Sequence, residues 1–287
     1  MAQSKDIKDR IGSVKKTKKI TQAMKMVSAA KFKRATQETM RIRPFLQGFN
    51  SILQRLSLDP SVLESSAYLD SNGNDKRVVI LVTSDRGLCG GFNSHLIKFA
   101  QSVVGEDPEN TEMVIFGNKG YQHFRRRGVT IVDHHLGFSE GLRLEKVAGF
   151  ITPLMERFLK KEIGKIQILF NEFGSALSSH LVNQQLLPLK IEASAEEASG
   201  VSNYFFEPSD DAIVDELAKQ TIVTSIYRAF VESRAAEEGA RMAAMDSATD
   251  NASDMIKGLT LLYNRTRQAQ ITTELSEIVA GAEALVN

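Results

Sequence analysis

Apolar residues recur every three or four positions through the first part of the chain. They fall at Ile7, Ile11 and Val14, and the pattern resumes from Ile20. This spacing places the apolar side chains on one face of an α-helix. The phase slips just before Ile20, within a cluster of lysines, and such a slip changes the local winding of a coiled coil. Residues 1–58 are therefore predicted to form one long coiled-coil helix.

Short apolar runs alternate with amphipathic segments from residue 75 to residue 208. VVILVTS (Val78–Ser84) and MVIFG (Met113–Gly117) have the pattern of buried strands, and FNSHLIKFAQSVV (Phe92–Val104) has the pattern of a helix between them. Strands that alternate with helices are typical of βαβ units and a mainly parallel sheet. We expect a Rossmann-like α/β domain over residues 75–208.

The remainder, residues 209–287, contains no proline, and small residues dominate its middle. Ser209 followed by two aspartates is a typical helix start. Neither long helix has enough apolar surface to be stable alone. The predicted fold is therefore α/β plus long helices: an antiparallel coiled coil of the N- and C-terminal helices with an inserted Rossmann-like α/β domain.

Charge is distributed unevenly along the chain. Residues 1–44 contain 13 Lys and Arg against three acids, although the whole chain has a net charge of only +1. A basic segment of this kind indicates an acidic partner, which can be nucleic acid, anionic lipid or protein. Phe32 is the one aromatic residue in the segment, which disfavours nucleic acid. The break in the apolar face at Lys15–Lys19 disfavours a membrane surface. An acidic protein surface, including the partner helix, is the preferred interpretation.

A glycine-rich stretch, TSDRGLCGGFN (Thr83–Asn93), follows the first predicted strand, where many α/β proteins bind a phosphate. It has neither the GxxxxGK[ST] nor the GxGxxG spacing. A structural turn is preferred over a phosphate site, and Cys89 is interpreted as a buried structural thiol. Adjacent strand residues point to opposite faces, so His134 and His135 are not expected to share a metal. No cofactor and no catalytic residue are predicted.

The end of the last helix is apolar around much of its circumference. A helix with this pattern must be enclosed, and the first helix can cover only one side. We expect a partner outside this chain to surround the tip. The apolar residues concerned are Ile271, Leu275, Ile278, Val279 and Leu285.

Three stretches are characteristic: KKITQAMKMVSAAKFKRA (Lys18–Ala35), LYNRTRQAQITTELSEIVAGAEAL (Leu262–Leu285) and YFFEP (Tyr204–Pro208). They resemble the γ subunits of F-type ATP synthases, of the bacterial type, and the resemblance covers nearly the whole chain. It implies a non-catalytic rotor shaft that couples proton flow to ATP synthesis or hydrolysis. It also implies a peripheral membrane protein on the cytoplasmic face of the bacterial inner membrane.

The resemblance also implies partners and contact residues. The partners are three α and three β subunits, an ε subunit and a membrane c ring, with no nucleic acid and no direct nucleotide binding. By the resemblance, Met24 and Lys25 lie near levers of the β subunits, and the apolar tip sits in a hydrophobic bearing. Two further pairs follow the family pattern: Arg267 and Gln268 as a polar catch against β, and Tyr204 and Glu207 in the foot that faces ε and the c ring.

Two other functions stay open from the residues themselves. One is a nucleotide-handling α/β enzyme with helical dimerisation arms, and the other is a basic coiled-coil scaffold for nucleic acid. The missing P-loop and the missing acid–base constellation disfavour the first. The second predicts DNA binding that depends steeply on salt.

Overall fold

The computed structural model describes residues 2–56, 66–138, 141–175, 178–190 and 210–286. The chain divides into two compact units. The first unit combines Met1–Ser28 with Arg241–Asn287, and the second is Ala29–Ala240. Each unit therefore contains parts of both long helices that the sequence predicts.

The two long helices are α1 (Ala2–Leu56) and α5 (Asp210–Val286). In the first unit, the hydroxyls of Thr21 and Thr249 lie 2.8 Å apart, and Lys25 donates to Asp246 at 2.5 Å. As the residue number rises in α1, it falls in α5, so the helices are antiparallel in this unit. The paired helices confirm the predicted antiparallel coiled coil.

The second unit shows the same direction of pairing. Lys31 lies 3.9 Å from Glu238, and Tyr227 donates to Glu38 at 2.5 Å. The residue numbers again run in opposite directions along the two helices. Small residues of α5, including Ala229 and Ala235, are fully buried, which lets helices approach closely.

A five-stranded sheet forms the centre of the second unit, in the order β3-β2-β1-β4-β5. Strands β1 to β4 are parallel, and β5 pairs with β4 in the antiparallel direction. The predicted Rossmann-like α/β domain is confirmed. The strands are β1 (Arg77–Val82), β2 (Thr111–Phe116), β3 (Thr130–His135), β4 (Lys165–Phe173) and β5 (Ser179–Leu187), and the helices between them are α2 (Phe92–Gly105), α3 (Asn118–Phe124) and α4 (Leu144–Leu159).

Both faces of the sheet are covered, and the alternation along β1 shows how. Val79 and Leu81 belong to the core that contains Leu96 of α2. Val78 and Ile80 belong to the core that contains Phe230 of α5. Successive strand residues point to opposite faces, so a continuous apolar run such as VVILV is what a strand covered on both sides requires. Part of α5 thus serves as one of the covering helices of the α/β domain.

Candidate functional site

The glycine-rich loop after β1 is fixed by its own side chains. Ser84 N donates to Asn93 Oδ1 at 3.0 Å, and Asn93 Nδ2 approaches the sulfur of Cys89 at 3.1 Å. Leu88 and Gly90 both have positive φ, of 63° and 56°. Cys89 is only 2% exposed and packs with residues of α2 and α5. The loop is a tight turn closed around a buried thiol, as predicted.

The strand order reverses between β1 and β4, and α/β domains of this type hold a ligand at that switch point. Next to it, at the carboxyl ends of β1 and β2, lies a crevice. Phe230 of α5 fills it, with its ring 4.7 Å from that of Phe116 and 4.9 Å from that of Phe138. The remaining cavity is about 20 Å³. Small-molecule sites generally have several hundred Å³, so this crevice is closed to a nucleotide.

The two adjacent histidines of β3 point to different surroundings. His134 stacks on Tyr121 with ring centres 4.1 Å apart, and His135 stacks on Phe116 at 4.8 Å. This is the opposite orientation that strand geometry predicts. Among the described residues, no group of three His, Cys, Asp or Glu side chains is arranged to hold a metal ion.

Ion pairs join the basic α1 to the acidic α5 within each unit. In the first, the Lys25–Asp246 pair is open to solvent, with side-chain exposures of 41% and 48%. In the second, Arg43 Nε lies 3.4 Å from Glu232, whose side chain is fully buried. The basic segment thus finds part of its acidic partner within its own chain.

The buried Glu232 was not found from the sequence. Burial raises the pKa of its carboxyl, while the charges of Arg228 and Arg43 act in the opposite direction without cancelling the effect. The neighbouring Tyr227 phenol also has a raised pKa, because of burial and its hydrogen bond to Glu38. The available signal was an acid within the small-residue run AFVESRAA, where a solvated charge is out of place.

The end of α5 has no covering helix within the described part of the first unit. The pairs at Thr21 and Lys25 fix a register that brings the start of α1 at Ala2 opposite Gln268 or its neighbours. Helix α5 continues beyond that point to Val286. Four apolar side chains there are exposed to solvent: Ile271 (43%), Leu275 (57%), Ile278 (67%) and Val279 (56%).

The other residues predicted from the resemblance have different surroundings. Met24 and Lys25 are half-buried in the pairing of α1 with α5, and Arg267 and Gln268 are exposed. The side chain of Leu285 lies outside the described part of the structure, as do Tyr204 and Glu207. The predicted catch residues thus lie next to the exposed apolar tip.

Comparison with known proteins decides the family. The family model described as ATP synthase matches residues 3–285. The ATP synthase gamma chain of Chlorobaculum parvum is 42% identical over 98% of both chains. That of Anaeromyxobacter sp. (strain K) is 41% identical over 99% of this chain and 100% of its own length. The chain belongs to the ATP synthase γ chain family. As a member of this family it is a subunit of a complex and not the catalytic subunit.

Solved structures of ATP synthase stalks share the γ chain fold. A chain in the Euglena gracilis mitochondrial OSCP/F1/c-ring structure has a TM-score of 0.70 at 18% identity, with 99% of this chain and 95% of that chain covered. A chain of the Tetrahymena thermophila central stalk and c-ring structure has a TM-score of 0.63 at 21% identity, with 80% and 99% covered. At these identities the likeness supports the fold assignment.

A helix that crosses a membrane must be both long and strongly apolar. None of the described helices of this γ chain combines enough length with enough apolar character to span a bilayer.

Proposed function

We propose that this chain is the central rotor shaft of an F-type ATP synthase. It couples proton flow through a membrane c ring to ATP synthesis or hydrolysis at catalytic sites on the β subunits, and it holds no catalytic site itself. The observation that carries the proposal is the end of α5, where an apolar surface continues past the start of α1 and faces solvent. A shaft that turns inside a collar needs this kind of uncovered apolar surface.

The collar consists of three α and three β subunits. Ile271, Leu275, Ile278 and Val279 form the bearing surface within it, together with Leu285. Apolar contacts suit a bearing because they are non-directional, so the tip can rotate without breaking specific hydrogen bonds.

Polar contacts with the β subunits lie next to this bearing. Arg267 and Gln268 form the catch, and their exposure leaves both side chains free to reach a partner. Met24 and Lys25 face the β levers. Because Lys25 is 41% exposed even in its pair with Asp246, its charge is available to acidic groups that pass it.

The α/β domain of residues 75–208 is the foot of the shaft, and the segments 1–58 and 209–287 form its coiled coil. Tyr204 and Glu207 in the foot contact the ε subunit and the c ring. In this arrangement the chain is a peripheral membrane protein on the cytoplasmic face of the bacterial inner membrane. The filled crevice above β1 and β2 supports a foot that binds no nucleotide.

Co-purification tests the proposal. The full chain carrying an affinity tag is produced together with the α and β subunits of its own organism, and the isolated material is weighed by native mass spectrometry. We expect one copy of this chain with three copies each of two larger nucleotide-binding subunits. ATP turnover by the purified chain alone, or a chain that never joins such a ring, would contradict the rotor assignment.

A further inference from the structure

A strongly basic groove lies between α2 and α3, away from the crevice that Phe230 fills. It has a volume of about 780 Å³. Its lining includes the cations Lys98, Lys119, Arg125, Arg126 and Arg127. We call this surface the α2–α3 groove.

The cations of the α2–α3 groove lie in stretches of the sequence that contain no acid. The stretch Gly117–Gly128 contains four Lys and Arg residues and no Asp or Glu. Within the described residues, none of the five groove cations forms an ion pair. The acids that flank this stretch in sequence, Glu112 and Asp133, lie against Arg157 and His135 instead. Asp85 of the glycine-rich loop accepts backbone N–H groups of Asn118 and Gly137. In the described part of the chain, the positive charge of the groove is therefore not neutralised by ion pairs.

Packing interactions position these cations. The Arg125 guanidinium carbon lies 6.0 Å from the ring centre of Tyr121, which is itself stacked on His134. The side chain of Lys119 passes over Gly87 of the glycine-rich loop. A Cβ added to Gly87 would lie 3.6 Å from the Cε of Lys119. The loop after β1 thus forms a floor beneath one side of the groove.

His123 also belongs to the lining of the groove. Desolvation and the charge of Arg127 lower the pKa of its imidazole. Its Nε2 atom is shielded from solvent and has no hydrogen-bond partner in the part of the chain that the structure describes. The amide of Gln122 adds a neutral hydrogen-bonding group among the charges of the groove.

The lining also discriminates among polyanions. Residues 93–127 include no exposed large hydrophobic side chain that could insert into a lipid bilayer. The nearby ring of Tyr121, beneath Arg125, is already stacked on His134, so Tyr121 offers no free platform for a nucleic-acid base. Guanidinium groups match both carboxylates and phosphates in charge and in geometry, so the preference for a carboxylate-bearing protein segment rests on these two missing features.

We propose that the α2–α3 groove binds an acidic segment of another protein. This contact is additional to the bearing, the catch and the foot residues of the proposed rotor, and it does not depend on them. Its recognition rests on several carboxylates that meet Arg125, Arg126 and Arg127 together, so it weakens as the salt concentration rises.

A photoreactive acidic peptide tests the groove on the full chain. A decaglutamate peptide with a fluorescent label and a benzophenone is titrated by fluorescence anisotropy at low salt, and its crosslinks are located by mass spectrometry. We expect crosslinks within residues 93–127. The triple variant Arg125→Glu, Arg126→Glu, Arg127→Glu should lose them and bind the peptide about tenfold more weakly.

A matched variant separates the groove from the basic α1. Lys15→Glu, Lys16→Glu, Lys19→Glu changes the charge by the same amount and should leave the crosslinks within 93–127 in place. If the reversed charges impair folding, as judged by circular dichroism, the milder triple replacement by Gln at 125–127 is used. Crosslinks confined to α1, or retained in both arginine variants, would overturn the proposal.

Two further probes test the class of partner. Vesicles of anionic phospholipid and a short single-stranded DNA are titrated under the same conditions. We expect the triple arginine replacement to weaken binding of the peptide by a larger factor than binding of the vesicles or of the DNA. If the replacement weakens binding of the vesicles or of the DNA more than binding of the peptide, the groove binds that class of partner and not an acidic protein segment.

Discussion

Lys25 of α1 donates a hydrogen bond of 2.5 Å to Asp246 of α5, and both side chains remain nearly half exposed. The pair fixes the register of the two helices in the first unit. It also holds, at the surface, a lysine that the family pattern assigns to a contact with the β subunits. An exposed pair of this kind is stabilising by only a small amount, because water and salt screen both charges.

Replacing Asp246 by Asn should therefore have little effect on the stability of the isolated chain and a larger effect on ATP synthesis by the complex. We expect the free energy of unfolding of the isolated chain to fall by at most about 1 kcal/mol. The rate of ATP synthesis by the reconstituted complex should change more in this variant than in the control variant, because Lys25 is then released from Asp246. Asp254→Asn is the control, since Asp254 forms another exposed pair, with Lys257 at 3.0 Å. A large loss of stability in D246N would show that the pair is more than a surface contact.

Burial of Glu232 makes stability depend on pH. A pKa raised above the ordinary value of 4.5 means that the folded chain binds this proton more tightly than the unfolded chain does. The contribution of Glu232 to stability is thus fully present below pH 4.5 and is lost as the pH rises through its pKa in the folded chain. Glu232→Gln removes this dependence.

Urea unfolding of wild type and E232Q from about pH 4 to about pH 8 measures the effect. We expect the difference in unfolding free energy to shift in favour of E232Q as the pH rises, and then to level off. Glu216→Gln, at an exposed position of the same helix, corrects for the loss of one negative charge. A difference that stays constant, or shifts toward the wild type, would contradict the raised pKa.

Charges introduced at the apolar tip should impair assembly without unfolding the chain. Leu275 and Ile278 are 57% and 67% exposed, so Leu275→Glu and Ile278→Glu should leave the melting temperature of the isolated chain almost unchanged. In the complex, each places a carboxylate in an apolar collar, where burial is costly. Native mass spectrometry should show less complete assembly. Thr273→Glu adds the same charge to the tip without removing an apolar contact, and equal defects in all three variants would contradict the bearing.

The polar catch makes a different prediction. Arg267→Ala and Gln268→Ala remove exposed side chains, so each should change the stability of the isolated chain by no more than about 0.5 kcal/mol. Both should lower the rate of ATP synthesis in reconstituted vesicles. Arg265→Ala, at a neighbouring exposed position, controls for the loss of a charge. Unchanged synthesis in both catch variants would show that these residues do not form the contact.

A glycine comparison tests the closed crevice. Gly117 has a φ of 90°, and an added Cβ would lie 2.2 Å from the carbonyl oxygen of Thr83. Gly117→Ala should therefore lower the free energy of unfolding by about 3 kcal/mol, from backbone strain plus a clash with the residue that follows β1. Gly128 has a φ of 71° with open space around it, so Gly128→Ala should cost only about 1 kcal/mol. Equal losses of unfolding free energy in the two variants would show that the residues around Gly117 can move to accommodate the added methyl group.

The sequence determined the elements of this protein and their order. The three-and-four spacing after Ile7 and the continuous apolar run of β1 predicted the long helix and the doubly covered strand, because each pattern follows from local backbone geometry. The motif spacing of the glycine-rich loop was enough to favour a turn over a phosphate site. The opposite charges of the two helices indicated their pairing.

Only the tertiary structure decided which distant residues meet. Glu232 became a buried acid because α5 packs on both α1 and the sheet within the second unit, and no local pattern records that packing. Phe230 closed the crevice for the same reason. The cations of the α2–α3 groove come from α2, from α3 and from the residues that follow α3, and they meet because both helices pack on the same face of the sheet. Helix and strand periods depend on neighbouring residues, whereas burial and uncompensated charge depend on long-range contacts.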